Sequence, residues 1–209
     1  RTDRVTLDGR EVPLTAAARV LAFHKPAGVV TAPSDPEGQG TVYDVLLPKL
    51  PPALRGYYWH AVGRLDRNTT GLLLFTNDER VVEHVTSPKT HLPKRYVAEV
   101  QGTADEAKVE PLRQGVVLDD GPTRPAEVRL RGPSTVELTL SEGRYHQVKK
   151  MLAAVKLPVR ALHREAVGGL SLDVEVGGWR ELSAEEIRER LGYDPARGPG
   201  AARQRPPDG

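Results

Sequence analysis

His60-Ala-Val-Gly-Arg-Leu-Asp-Arg-Asn-Thr-Thr-Gly-Leu-Leu-Leu-Phe-Thr-Asn77 is the stretch on which the reading of the fold turns. Its second half holds the unbroken apolar run Leu72 to Phe75, bounded by turn-forming residues, as expected of a strand buried on both faces. Its first half places the carboxylate of Asp66 between the cations Arg64 and Arg67. Asn68 to Gly71 reads as the turn joining the halves, with Gly71 free to take a positive φ. Asp66 is therefore expected on a loop held against a core strand, a suitable mount for a reactive group. Taken alone, an Asp in such a loop far more often serves only to cap a turn.

Working outward, Arg4 to Val12 reads as a hairpin about Asp8-Gly9, and Val20 to Phe23 as a strand entering the turn His24-Lys25-Pro26-Ala27-Gly28. Thr31 to Gly40 is a polar, Pro/Gly-rich loop, either a lid or a plain connection. Helices are expected from Thr41 to Leu47, capped by Thr41, and from Asn77 or Asp78 to Val85, with Val81, Val82 and Val85 inward and Ser87-Pro88 as the stop. Lys94 to Val100 alternates as a strand with Tyr96, Ala98 and Val100 on one face. Asp105 to Leu112 reads as a helix turning Ala107 and Leu112 inward. Val116 to Leu118, Ala126 to Leu130 and Val136 to Leu140 read as strands. Val148, Met151, Leu152 and Val155 share one helical face, with Lys149 beside it, where a lysine is ordinarily a solvated flank. A short strand is expected before Gly177-Gly178, then a helix with a Ser183/Glu186 capping box and Ile187 and Leu191 inward.

The 209 residues suffice for one large domain or two small ones. No apolar run approaches membrane-spanning length, and the sequence shows no charged-then-apolar leader; a cytoplasmic setting is expected. With no cysteine there is neither a disulfide framework nor a thiolate metal site. The six histidines lack paired-ligand spacing, and no GxGxxG or P-loop occurs, so neither metal nor nucleotide cofactor is indicated. A net charge of +2 with a pI near 8.9 suits an anionic partner without demanding one.

Three stretches in order carry a resemblance: Gly63-Arg64-Leu65-Asp66, Lys94-Arg95-Tyr96, and Glu142-Gly-Arg-Tyr-His-Gln-Val-Lys-Lys-Met151. Together with the Lys25-Pro-x-Gly turn, they resemble the pseudouridine synthases, in the branch of ribosomal enzymes that holds small subunit pseudouridine synthase A and large subunit pseudouridine synthases B, E and F. The third motif and His163-Arg164-Glu165 are most similar to the small subunit group. The resemblance covers Val20 to Leu191 and implies an α+β fold, a mostly antiparallel mixed sheet in two halves flanked by helices. Residues 20–192 would be the catalytic domain and 193–209 a disordered basic tail, an auxiliary RNA contact. Such enzymes usually begin with a small S4-like RNA-binding domain; here residues 1–19 read as a linker to it or its remnant, consistent with a chain that starts at Arg1.

The implied reaction breaks the N1–C1′ bond of a uridine, turns the base and rejoins it through C5, without a cofactor. The nucleotide must leave its stack to expose C1′ and C6. By resemblance, Asp66 is the essential carboxylate, Lys149 the cation paired with it, and Tyr96 the ring against the base and a proton acceptor for the last step. Asp66 acts on the sugar, on the base, or as a base toward the sugar; the sequence leaves these open. Arg64 is the candidate to fill the gap left by the flipped base, with pairing to Asp66 as its alternative. Lys94, Arg95, Arg144 and Lys150 are the phosphate-contact candidates. The expected partner is ribosomal RNA or a pre-ribosomal particle, met by a monomer, with 16S rRNA ahead of 23S. Two rival classes stand beside this: a non-catalytic RNA-binding assembly factor, and a glycosidase-type hydrolase, which needs a second carboxylate such as Glu142 or Glu165.

Overall fold

The computed structural model describes residues 4–7 and 10–13 as backbone, and residues 17–144 and 146–196 in full. The first pair of strands, β1 (Arg4–Leu7) and β2 (Arg10–Pro13), forms an antiparallel hairpin; its Asp8-Gly9 turn lies outside the described residues. The main sheet is built from β3 (Val20–Lys25), β4 (His60–Val62), β5 (Thr70–Thr76), β6 (Lys94–Val100), β9 (Glu127–Gly132), β10 (Thr135–Leu140), β11 (Val159–Val167), β12 (Leu170–Ser171) and β13 (Trp179–Glu181). Its order is β13-β3-β5-β11-β6-β10-β9, and β7 (Val117–Leu118) pairs with β8 (Gly121–Pro122) in a separate ribbon. The helices are α1 (Val42–Leu46), α2 (Pro52–Arg55), α3 (Glu79–Thr86), α4 (Glu106–Gln114), α5 (Gln147–Ala154) and α6 (Ala184–Leu191). The sheet is mixed, since β11 and β5 run parallel while the other pairs are antiparallel. This is the expected α+β architecture.

β5 is the hinge of the sheet. β3 covers one of its edges from Thr76 to Gly71. The other edge is shared: β11 takes Thr70 and Gly71, and β4 takes Leu74 to Thr76. The sheet therefore forks beside Leu72. Alternation along β5 turns Leu72 and Leu74 into one core with Val81 and Val85 of α3 and Ile187 and Leu191 of α6. Leu73 and Phe75 enter another with Val42 and Leu46 of α1 and Trp59. Both faces are thus buried, which explains the unbroken run. A third core joins β6, β10 and β11 to α4 and α5 through Ala98, Leu138, Met151 and Leu152.

Local signals hold where capping fixes them. Thr41, Asp78 and Ser183 each cap their helix, Thr41 and Ser183 through capping boxes with Asp44 and Glu186. Four details differ. Gly71 lies inside β5 with φ +119°, and the turn precedes it at Arg67-Asn68. A Cβ on Gly71 would stand 2.1 Å from the Arg164 carbonyl oxygen, so close strand approach, rather than a turn, demands the glycine there. In α4 Ala107 is exposed, and Val109 joins Leu112 in the core. Among the described residues no strand directly precedes Gly177-Gly178; β13 follows them and pairs with β3. Finally, the fold runs past residue 192: Tyr193 is buried against His84, and the Pro195 carbonyl accepts from Ala18 N. Residues 197–209 of the expected tail lie outside the described residues.

Candidate active site

The Asp66 loop is clamped from below. Leu65 is buried, and its amide and carbonyl both bond the Thr31 hydroxyl. Thr69 N donates to Asp66 O. Beneath the loop lies Lys25, on the buried face of β3 with Leu21 and Phe23. Its ammonium donates to the carbonyls of Pro26 (2.9 Å), Arg67 (2.8 Å) and Thr69 (2.9 Å). Burial pushes it down to about 8, opposed by the Asp66 charge and assisted by Arg67.

Above the loop, the Arg67 guanidinium grips the Thr31–Gly40 segment, bonding Asp35 Oδ1 at 2.9 Å, the Gln39 amide oxygen and Gly28 O. Glu37 adds an ion pair. The Asp35 carboxylate also accepts from the backbone of Glu37, Gln39 and Gly40. The bond from Arg67 holds it well below the usual carboxylate range. Arg67 is thus a strut for the neighbouring loop rather than a flank for Asp66.

Asp66 itself bridges two groups from the far half of the sheet. Its Oδ2 accepts from Lys149 Nζ at 2.9 Å, and its Oδ1 lies 3.0 Å from His146 Nε2. Lys149 stands in the first turn of α5, whose Val148, Met151 and Leu152 are buried. His146 precedes that helix in a left-handed conformation, φ +50°. The buried Gln147 amide orders the preceding loop, bonding Glu142 Oε1 and Arg144 N. Tyr96 of β6, half-buried, lines the same cleft as Asp66, His146 and Lys149, together with Leu140, Val148 and Leu162. The adjoining open part, about 640 Å³, runs from Val30 and Thr31 past Asp66 to Arg144, within the range of roughly 300–1,000 Å³ usual for ligand pockets. An anionic carboxylate fixed by a lysine, beside an aromatic wall, suits a reaction that builds positive charge near a planar base.

The remaining candidates divide. Arg64 is exposed at the cleft and has no hydrogen bond or ion pair among the described residues, so it does not pair with Asp66. Arg144 lines the cleft while bonded to Asp120 and to the Gly121 and Pro122 carbonyls. Lys150 pairs with Asp119. The other two phosphate candidates lie off the Asp66 cleft. Arg95 lies on the side of β6 opposite Tyr96 and pairs with Glu165 at 2.7 Å, away from the cleft. Lys94 is buried, donating to the carbonyls of Val85 and Leu92. Glu142 lines the cleft, but its Oε1 accepts from Gln147 and from Arg124 N, and Glu165 is tied to Arg95 and Arg131. Neither is presented as a second hydrolytic carboxylate. Among the described residues no group of three His, Cys, Asp or Glu is arranged to hold a metal ion, and no helix is long and apolar enough to cross a membrane.

His146 and Lys25 escape sequence reasoning. Both sit inside quoted motifs, and for Lys25 a signal exists: it shares the strand parity of Leu21 and Phe23.

The family described as RNA pseudouridylate synthase matches residues 19–154. The ribosomal large subunit pseudouridine synthase B of Escherichia coli K12 is 38% identical over 205 residues, covering 92% of this chain and 69% of that protein. The ribosomal small subunit pseudouridine synthase A of the same organism is 37% identical over 187 residues, covering 88% and 78%. A crystal structure of a pseudouridylate synthase superposes with a TM-score of 0.74 at 34% identity, over 87% of this chain and 76% of that one. An archaeal box H/ACA ribonucleoprotein shares the fold at a TM-score of 0.51 and 16% identity, covering 88% and 58%.

Proposed function

Because the chain belongs to the RNA pseudouridylate synthase family, we propose that it isomerises uridine to pseudouridine in ribosomal RNA, with 16S rRNA as substrate. The observation that carries this is the Asp66 carboxylate, held by Lys149 and His146 beside Tyr96 in one cleft. The flipped uridine stacks on Tyr96, worth about 1–3 kcal/mol. Asp66 supplies the negative charge that C1′ needs as its bond to N1 breaks, and Lys149, 2.9 Å away, keeps that carboxylate aimed. The base turns, C5 bonds to C1′, the C5 proton leaves and N1 ends protonated, so no atom is lost. Arg64, exposed and without a partner among the described residues, fills the place of the flipped base, and Arg144 and Lys150 serve the backbone. The enzyme works as a cytoplasmic monomer on rRNA or a pre-ribosomal particle.

The likeness to both a small and a large subunit enzyme makes 23S rRNA the second reading. The test incubates the protein with 16S and 23S transcripts and maps pseudouridine by carbodiimide modification and primer extension. Conversion of one 16S uridine, absent with Asp66→Asn, is expected. Conversion confined to 23S rRNA moves the substrate, and conversion of neither removes the reading.

A further inference from the structure

At the fork in the sheet lies a second cavity of about 180 Å³, which shares Tyr96, Arg64 and Arg144 with the main cleft. Its walls bring together Arg64, Lys94, Arg144 and Arg164, with apolar Val62, Leu74 and Val85, and contain no carboxylate among the described residues. Two of these cations belong to the interior: Arg164 is 5% exposed and Lys94 8%. Arg164 sits where β11 leaves the edge of β5, and its Nε donates at 2.9 Å to the Leu72 carbonyl that neither β11 nor β4 pairs. That is the one hydrogen bond its side chain makes among the described residues, so its amino nitrogens stay unpartnered. No buried side-chain nitrogen lacks a partner there, so these nitrogens keep access to the cavity they line. Lys94 satisfies two N–H groups on the Val85 and Leu92 carbonyls and keeps a third.

Buried cations are normally paired. Here two lie close enough that the Arg164 charge, after burial itself, helps push Lys94 down to about 8. No acid among the cavity's lining residues compensates them. The described residues that line the cavity supply no counter-charge, and an enzyme working on a polyanion has one at hand.

We propose that this fork cavity is a phosphate site, occupied by one backbone phosphate of the RNA strand that carries the flipped uridine, with Arg164 and Lys94 as its buried donors. The proposal rests on the RNA reading above and deepens it. A phosphate accepting a planar guanidinium and an ammonium in a low-dielectric niche fixes the strand beside Tyr96 and sets which way the nucleotide enters.

The experiment uses the whole chain, wild type and Lys94→Met, with Arg164→Lys as a second variant, each checked for an unchanged melting profile in chloride. The RNA is the transcript that the wild type modifies, with single neutral methylphosphonates placed at each linkage flanking the target uridine. One such linkage should weaken wild-type binding about tenfold, or about 1.4 kcal/mol. The same linkage should cost Lys94→Met less than about twofold, and the salt slope of log Kd should fall by about 0.7 to 0.9 in that variant. Equal penalties in wild type and both variants, with modification intact, overturn the site and leave the pseudouridine reading standing. Should no RNA be modified, inorganic phosphate replaces it: a rise in Tm over chloride at equal ionic strength, lost in Lys94→Met and reduced in Arg164→Lys, supports the site by itself, and no rise overturns it. A phosphate-dependent Tm rise without any methylphosphonate penalty overturns the RNA strand as the source.

Discussion

Replacing Lys149 by Met should separate stability from catalysis. The change removes the Nζ that stands 2.9 Å from Asp66 Oδ2 and keeps the length of the stem. The two side chains are 39% and 35% exposed, so water screens the pair. An ion pair of that kind contributes roughly 0.2–1 kcal/mol to folding. For a chain of this size that is a Tm loss of at most about 2–4 °C. The other carboxylate oxygen keeps its contact with His146, so Asp66 stays in the cleft. Catalysis loses more, because the charge that fixes the carboxylate is gone from where the reaction needs it. Removal of one positioned electrostatic partner costs on the order of 10²–10³ in rate, or about 2.7–4 kcal/mol. Single-turnover release of tritium from rRNA labelled at uridine C5 reads the rate directly, since that hydrogen leaves in the isomerisation. Lys149→Arg should recover part of the loss. A Lys149→Met rate within about threefold of wild type, under 1 kcal/mol, would refute the role given to the pair.

Gly71→Ala should destabilise by about 3–5 kcal/mol, read as a lower urea midpoint, because its Cβ would meet the Arg164 backbone at 2.1 Å on a backbone with φ +119°. Lys25 and Lys94 both fall from 10.5 to about 8 on folding, so between those values the unfolded chain holds protons that the folded chain has released. Stability should therefore rise with pH across that window, by calorimetry, and rise less steeply in Lys25→Met. Asp35→Asn weakens the grip of Arg67 on the Thr31–Gly40 loop; faster proteolysis within that loop and a higher KM with kcat held are expected.

Legibility follows the range of the physical signal. Caps and alternation are local, and Thr41, Asp78, Ser183 and the buried run Leu72–Phe75 are readable from neighbours alone. Ala107 is misplaced by local pattern because the phase of α4 is set by Val109 and Leu112 against the β9 hairpin, a contact no local pattern displays. Gly71 reads as a turn because its cause, the Arg164 backbone, is 93 residues away in sequence. In the site, the approach of Lys149 to Asp66 is suggested by resemblance and not by spacing, which favours a solvated flank. Lys94 is instructive: the alternation that turns Tyr96, Ala98 and Val100 inward turns Lys94 inward too, although its charge suggests a surface phosphate contact. The same parity sets Arg95 on the opposite side. His146 reaches Asp66 only through its left-handed backbone, which a His ahead of a helix does not announce.

The most direct measurement is pseudouridine mapping across 16S and 23S rRNA from cells lacking this protein, complemented with the wild type or with Asp66→Ala. One 16S pseudouridine should disappear, return with the wild type and stay absent with Asp66→Ala. A site that Asp66→Ala restores, or rRNA whose pseudouridines are unchanged by the loss of the protein, would contradict the role given to Asp66 and the activity built on it.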